Sequence, residues 1–231
     1  MKRSLRRFSL RAACVLTALL LILAARACVD KNDYTGPEAG IIFSLNDTLV
    51  EPVTYTSTGR IGVYELKIDA DSVPDIIFKV EEFQLGREYT KYCEVSPGDG
   101  YVLFIQNGTQ HTFSEYEGPD TIFVNSSSKP VKIPRILGRN DTIPANSSFT
   151  ALPLKLTYHE DNRFQLQSWT TTISNWISMD EKYIGLYNSE NEILVWVKIS
   201  VPGYNSLILH SCCFVEHSEY QVVDEVENGR E

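Results

Sequence analysis

The sequence predicts an all-β protein, and three observations support this prediction. Runs of β-branched and aromatic residues with a period of two recur along the chain, as in IGVYELKI and ILVWVKI. Clusters of Gly, Pro, Asn and Asp separate these runs at intervals of roughly ten residues. No heptad or internal repeat is present. This spacing is typical of immunoglobulin-like folds, so we expect one or two β-sandwich domains.

The first residues, 1–27, have the pattern of a secretory signal. A basic head is followed by an apolar run, 12–25, which is interrupted only by Thr17. Arg26 ends this run short of the roughly 20 apolar residues that a transmembrane helix needs. We therefore expect a cleaved signal peptide, with an uncleaved signal anchor as the alternative.

The segment Ala25-Arg26-Ala27-Cys28 resembles a bacterial lipobox, in which cleavage precedes the cysteine and its sulfur receives lipid. Ala25 and Ala27 are small enough for the peptidase cleft. Arg26 departs from the pattern, which leaves cleavage after Ala27 by ordinary signal peptidase as an alternative. The resemblance implies lipid attachment at Cys28. The triacyl group that such a cysteine normally carries, palmitate among its chains, would hold the protein stably to a membrane.

The charge of the chain restricts the classes of partner that it can bind. It carries 30 acidic and 21 basic residues, a formal net charge of −9. Six basic residues precede Cys28 and every acidic residue follows it, so the mature protein is more acidic still. Nucleic acids and anionic lipid surfaces both bind through protein cations. The composition therefore excludes nucleic acid as a partner and leaves the lipid as the expected membrane contact.

The mature chain has three further cysteines, Cys93, Cys212 and Cys213. An odd and sparse set is not a disulfide framework, so burial as small hydrophobic side chains is the main expectation. One disulfide between Cys93 and either Cys212 or Cys213 is the alternative. The four histidines are scattered and no CxxC is present, so we expect neither a metal nor another cofactor.

The predicted elements follow a polar tether at 28–40, which is rich in turn residues. An N-terminal β-sandwich domain is expected over 41–148, with Asn107-Gly108 as one of its turns. Its predicted strands are IIFSL (41–45), IGVYELKI (61–68), IIFKVEEF (76–83), YTKYCEV (89–95), YVLFIQ (101–106) and TIFV (121–124).

The segment 125–148 contains three prolines and no sustained period, which predicts a linker or an edge strand with long loops. A C-terminal β domain is expected over 149–231. Both faces of ILVWVKI are largely apolar, which predicts a central strand. A helix is conceivable only over 170–182. The other predicted strands are ALPLKLTY (151–158), RFQLQSW (163–169), KYIGLY (182–187), SLILHSCCFV (206–215) and EYQVVDEV (219–226).

The chain has no recognisable catalytic motif. It lacks GxSxG, a P-loop, a dinucleotide fingerprint and HExxH. Its carboxylates are expected to be solvated strand and loop charges, so the sequence predicts a protein that is not an enzyme. Trp196 is expected in the core. Trp169 and Trp176 lie in a more polar stretch and are the candidates for stacking on a glycan.

Asp-Ser or Asp-Thr followed by an aliphatic residue occurs four times. The pattern resembles the O-glycan acceptor motif of extracytoplasmic proteins in a group of Gram-negative anaerobes. The alternative is that Asp-Thr favours turns before strands. Five Asn-x-Ser/Thr sites also permit a eukaryotic secreted glycoprotein, although the lipobox favours bacteria. The candidate O-glycan acceptors are Thr48, Ser72, Thr121 and Thr142.

The stretch EVSPGDGYVLFIQNGTQHTF (94–113) resembles fimbrillin-type and fimbrial-anchor surface lipoproteins of Gram-negative anaerobes. The likeness covers about 80 residues loosely, and it rests on Pro97, Gly98, Gly100, Tyr101 and Asn107 after a lipoprotein signal. It implies two transthyretin-like sandwich domains and export to the outer membrane. In the pilins it also implies strand exchange after cleavage at an arginine, for which Arg60 is the candidate.

These observations lead to one expected function and one alternative. We expect a lipid-anchored surface protein of the outer membrane, on its exposed or periplasmic face, that serves adhesion or a fimbria as an anchor or accessory subunit. Its partners would be other fimbrial or surface subunits. The alternative is a glycan-binding lipoprotein of a polysaccharide-uptake system.

Overall fold

The computed structural model describes residues 41–68, 73–119, 121–139, 141, 147–188, 190–191 and 193–216. All regular structure in these ranges is β, which confirms the predicted fold class. The strands are β1 (Ile41–Val50), β2 (Thr54–Tyr55), β3 (Gly59–Leu66), β4 (Ile76–Leu85), β5 (Glu88–Pro97), β6 (Tyr101–Glu117), β7 (Ile122–Pro134), β8 (Ser148–Thr150), β9 (Leu154–Phe164), β10 (Gln167–Ile173), β11 (Met179–Asn188), β12 (Ile193–Gly203) and β13 (Ser206–Glu216).

The strands form one antiparallel sheet that curls on itself like a sandwich. Its order is β1-β13-β12-β11-β6-β10-β9-β5-β4-β3-β2, and β7 and β8 also pair with β6. The curl brings β1 against β3 and β4. The faces that meet enclose the main core, which includes Ile76, Phe78, Val80, Leu156, Val195, Val197, Ile199, Leu207 and Leu209.

The alternation of side chains between the two faces of a strand explains the burial pattern of most of these elements. In β4, Ile76, Phe78 and Val80 are fully buried while the residues between them are half-buried. Strand β12 lies between β11 and β13 and is buried on both faces, as its sequence predicts. Trp196 is 1% exposed, which confirms its expected place in the core.

Asn107-Gly108 does not form the expected turn, because both residues lie inside β6. The glycine is needed there for close packing. A Cβ atom on Gly108 would come within 2.8 Å of Ile133 Cδ1 and 2.9 Å of Asn175 Oδ1. Strand β6 therefore continues to Glu117 and pairs with β7, so 122–134 is the edge strand that the proline-rich segment allowed.

Two other local predictions are wrong. The predicted strand 163–169 is split by a turn at Gln165, whose φ of 53° places it in the left-handed region. The stretch 170–182 contains no helix. Its threonines continue β10 to Ile173, and a short turn then leads to Met179 at the start of β11.

The expected domain boundary at 148/149 falls within β8. Strands from the two sides of the boundary are neighbours in the sheet, since β1 pairs with β13, β5 with β9, and β6 with β10 and β11. The ranges 41–148 and 149–231 therefore share one sheet in their described parts, and these described parts fall in one compact unit. The signal, Cys28, the tether and the predicted strand 219–226 lie outside the described residues.

Candidate functional site at the free edge of β7

Strands β6 and β7 form a long ribbon. They pair in unbroken register from Ile105 opposite Pro134 to Glu117 opposite Ile122. Just beyond this paired region, the Gly118 N–H donates to the Thr121 carbonyl at 2.8 Å. The base of the ribbon is buried at Ile133 and Pro134, whereas residues 122–130 are exposed on both faces.

The exposed part of β7 begins with three large apolar side chains. Ile122 is 64% exposed, Phe123 61% and Val124 66%. Soluble proteins rarely leave a flat apolar edge strand open, because it is a template for pairing with another chain. Within the described residues, β7 pairs with β6 alone, so its second edge carries no strand there.

The backbone groups on this second edge can be assigned from two hydrogen bonds. The Thr109 N–H donates to Asn175 Oδ1 at 3.1 Å, on the side of β6 away from β7. Its partner Pro130 is therefore in a non-hydrogen-bonded pair. The Arg135 N–H donates to the Phe104 carbonyl at 2.9 Å, which places the bonds to β6 on odd-numbered residues. Even-numbered residues of β7 consequently direct their N–H and C=O groups to the second edge.

The usable part of this edge is short. Pro130 and Pro134 are even-numbered, so they face the second edge, where they have no N–H to donate. An edge strand tolerates proline at such positions, because the missing N–H would not have bonded to the neighbouring strand. The Pro134 carbonyl accepts a hydrogen bond from Trp176 Nε1 at 3.0 Å. Residues 122–128 therefore form an open segment, which we call the β7 window. Its free donors and acceptors belong to Ile122, Val124, Ser126 and Ser128.

A groove of about 160 Å³ lies beside the C-terminal parts of β6 and β9 and the first residues of β10. Phe113, Asp161, Arg163 and Thr170 line it. Burial raises the pKa of the Asp161 carboxyl, but hydrogen bonds from Thr170 at 2.6 Å and His159 at 2.9 Å outweigh this effect and lower its pKa overall. The groove thus offers an aromatic ring beside an ionised acid and an arginine. Such a combination suits a hydroxyl-rich ligand.

The two tryptophans that were candidates for glycan stacking differ in their burial. Trp176 is fully buried against the base of the ribbon, so its assignment as a surface platform is wrong. Trp169 is half-buried and borders the groove. Adjacent strand residues point to opposite faces, so the side chain of Trp169 lies on the face opposite to Thr170. Phe113 pairs with Thr170 and is the ring on the groove side.

One constellation was not anticipated from the sequence. His210 Nε2 lies 2.7 Å from Ser200 Oγ, and His210 Nδ1 lies 2.6 Å from Asp47 Oδ1. These distances match a Ser-His-Asp triad. However, the Ser200 hydroxyl donates to Asp180 at 2.6 Å and the residue is only 5% exposed, while Asp47 is on the surface. This serine is not an accessible nucleophile, and the group instead links β1, β13 and β12.

The local backbone explains how these residues meet. The pairing register shifts between Ser44 and Thr48 in β1, and between Lys198 and Ile199 in β12, opposite His210. Asn46 and Asp47 have φ values of 54° and 51°. Bulges of this kind re-aim side chains. Here they turn Asp47 and His210 toward each other across β1 and β13.

A cluster of charged groups covers the sheet at β4, β5 and β9. Lys79 Nζ lies 2.6 Å from Glu81, Lys155 Nζ lies 2.7 Å from Glu94, and the Lys155 ammonium stands 3.0 Å from the centre of the Tyr92 ring. Burial together with a hydrogen bond to Glu81 raises the pKa of Tyr92 to about 12. These groups satisfy one another, so the cluster holds the sheet together rather than presenting a site.

The three body cysteines are buried thiols, as the main expectation had it, and the alternative disulfide is not formed. Thr121 is exposed just before β7, while Thr48 is half-buried and donates to the Leu45 carbonyl at 2.6 Å. Ser72 and Thr142 lie outside the described residues. Arg60 lies within β3 and pairs with Glu82 at 3.0 Å.

Across the described ranges, His, Cys, Asp and Glu form no group of three suited to a metal ion. The same ranges hold no helix with the length and apolarity needed to cross a bilayer. Comparison with family models, curated proteins and solved structures gave no match to this chain.

Proposed function

We propose that the chain is a lipid-anchored cell-surface β-sandwich protein that acts in adhesion or in a fimbria as an anchor or accessory subunit. In this proposal Cys28 carries the lipid and the β7 window contacts other subunits. The observation that carries the proposal is the window itself, where exposed Ile122, Phe123 and Val124 accompany unpaired backbone groups. Strand addition at such an edge obtains affinity from main-chain hydrogen bonds and specificity from alternate side chains.

Several features support surface contact through this edge. The ribbon lies apart from the main core, since residues 122–130 are exposed on both faces. Its base is held by Ile133, which is fully buried, and by the hydrogen bond from Trp176 to Pro134. A firmly held base with an exposed end lets a second chain pair without disturbing the core.

Substitution of Ser126 by proline tests the edge. The Ser126 N–H points away from β6, so proline removes one free donor and leaves the β6–β7 ladder intact, as native Pro130 does. We expect severalfold less of the full-length S126P protein in surface oligomers isolated from cells, and no loss for the matched Ser126→Ala variant. Equal recovery of both variants in oligomers would contradict the proposed contact.

The anchor is tested separately. We expect Cys28→Ser to move the protein from the membrane fraction to the soluble fraction, because the acidic body has little attraction for anionic lipid. Mass spectrometry of the mature N-terminus should find a lipid-modified Cys28 as the first residue. A mature chain that starts elsewhere contradicts the anchor.

The groove favours glycan binding as the second candidate function. Phe113 is 48% exposed beside Asp161 and Arg163, an arrangement that allows ring stacking together with hydrogen bonds to hydroxyls. If the groove binds polysaccharide fragments, Phe113→Ala should weaken binding about tenfold. Tyr116→Ala, which alters an exposed ring on the opposite face of β6, should leave it unchanged. Equal effects of the two variants in a titration would exclude the groove.

A further inference from the structure

We infer that the β7 window pairs with the β7 window of a second copy of this chain, antiparallel and centred on Asn125. The inference rests on the proposed function and names the occupant of the same edge. In this register Ile122 lies opposite Ser128 of the other copy, Phe123 opposite Ser127, and Val124 opposite Ser126. Asn125 lies opposite itself.

The backbone groups fit this register. The residues with outward N–H and C=O groups are Ile122, Val124, Ser126 and Ser128. A two-fold axis at Asn125 places each of them opposite another member of the set, so each forms a hydrogen-bonded pair. The hydrogen bond from Gly118 to Thr121 lies beyond one end of the window, and Pro130, which has no N–H, lies beyond the other. The two-fold axis passes through Asn125, the central residue of the window 122–128.

The side chains are complementary to themselves. The sequence of the window is IFVNSSS, with three large apolar residues before the central asparagine and three serines after it. Antiparallel pairing therefore sets every large side chain beside a small one, which allows close packing between the copies. The Asn125 amide is both donor and acceptor, so two copies of it can bond to each other.

Charge also favours a second copy. The molecule carries a formal net charge of −9, yet residues 122–134 contain no acid and two lysines. The window strand itself therefore adds no negative charge to the contact, and the acids Glu115 and Glu117 lie on the neighbouring strand β6, opposite Val124 and Ile122. The two Lys129 side chains would lie about 26 Å apart along the paired strands. That separation is well beyond the screening length of about 8 Å at physiological salt.

The contact is small, because one pair of seven-residue strands buries less than a standard interface. We therefore expect weak association in dilute solution. Attachment of both copies to one membrane would raise their effective concentration and favour pairing.

Cysteine cross-linking of the full chain tests the register. Asn125 is the residue that meets its own counterpart, in a non-hydrogen-bonded pair with Cα atoms about 4.5 Å apart, which is within disulfide range. We expect Asn125→Cys to form disulfide-linked dimers on mild oxidation in cells. The matched control is Ser127→Cys, on the same face, whose two copies would be about 13 Å apart. It should remain monomeric, as should a chain with both Asn125→Cys and Ser126→Pro.

The outcomes separate this inference from the proposed function. Cross-linking at position 125 but not at 127, lost with Ser126→Pro, supports homotypic pairing. Equal cross-linking at both positions, or none at 125, overturns it. If Asn125→Cys does not cross-link while Ser126→Pro still lowers the recovery of the protein in surface oligomers, the edge binds a different subunit and the proposed function stands. If S126P also has no effect, both fail.

Discussion

At Cys93 and Cys212, burial determines the chemistry of the side chain. Burial raises the pKa of the Cys93 thiol to about 11 and that of Cys212 to about 12. Only the thiolate is nucleophilic, so we expect both residues to resist iodoacetamide in the folded protein at pH 8 and to react after unfolding in urea. Peptide mass spectrometry would follow each site. Rapid labelling of either thiol in the native protein would contradict this burial.

The same thiols predict how stability depends on pH. A raised folded pKa favours the protonated form, so its contribution to stability is complete below the unfolded pKa of about 8.5 and declines as pH rises toward 11. The free energy of unfolding measured in urea should therefore fall between pH 8 and pH 10.5. Cys93→Ala should make this decline shallower, because it removes one of the titrating groups.

Individual side chains were predictable where local pattern decides burial. Trp196 stands in a strand whose two faces are both largely apolar, and its burial followed from that pattern. The burial of Trp176 could not be predicted in this way, because this residue sits among polar residues in TTTISNWISMDEK. It is buried because the turn after β10 directs it to the base of β7, where its indole N–H binds the Pro134 carbonyl. That contact joins residues 42 positions apart.

Strand β1 lies at one end of the sheet, where β13 is its hydrogen-bonded neighbour, and its bulge makes a polar contact with that neighbour. The Asp47 carboxylate lies 2.6 Å from His210 Nδ1. We expect Asp47→Asn to speed amide hydrogen exchange in residues 41–50 and to leave β4 and β5 unchanged, since the exposed carboxylate contributes mainly to local order. Asp99→Asn, an exposed change before β6, is the matched control. Unaltered exchange in β1 would show that the bulge does not depend on this contact.

The elements show where sequence reasoning succeeds and where it fails. Apolar periodicity placed β12 in the centre and found the cores of β3, β4 and β5. It failed at Asn107-Gly108, because a dipeptide that favours turns is used here for close contact with Ile133. The contact between Asp47 and His210 spans 163 positions and arises from register shifts in two strands, which no local pattern encodes.

The curl of the sheet brings the two halves of the chain together. The sequence favoured a boundary after residue 148 because prolines and hydroxyl residues interrupt the strand pattern there. The structure instead uses the prolines of 122–134 on the open side of an edge strand. Long-range pairings such as β1 with β13 then close the core around both halves. The window at 122–128 becomes recognisable only when the β6–β7 register is known.

The stability of the whole molecule should depend on the residue where the ribbon meets the core. Trp176 is fully buried, and its indole N–H satisfies the last outward carbonyl of β7. Replacing it with alanine removes a large side chain and leaves a cavity, which typically costs about 3–5 kcal/mol. We expect that loss for Trp176→Ala in urea unfolding and a clearly smaller loss for the half-buried Trp169→Ala. Trp176→Phe should fall between them, since it keeps most of the volume but not the hydrogen bond. Equal losses at positions 169 and 176 would mean that the ribbon is not held at its base as described.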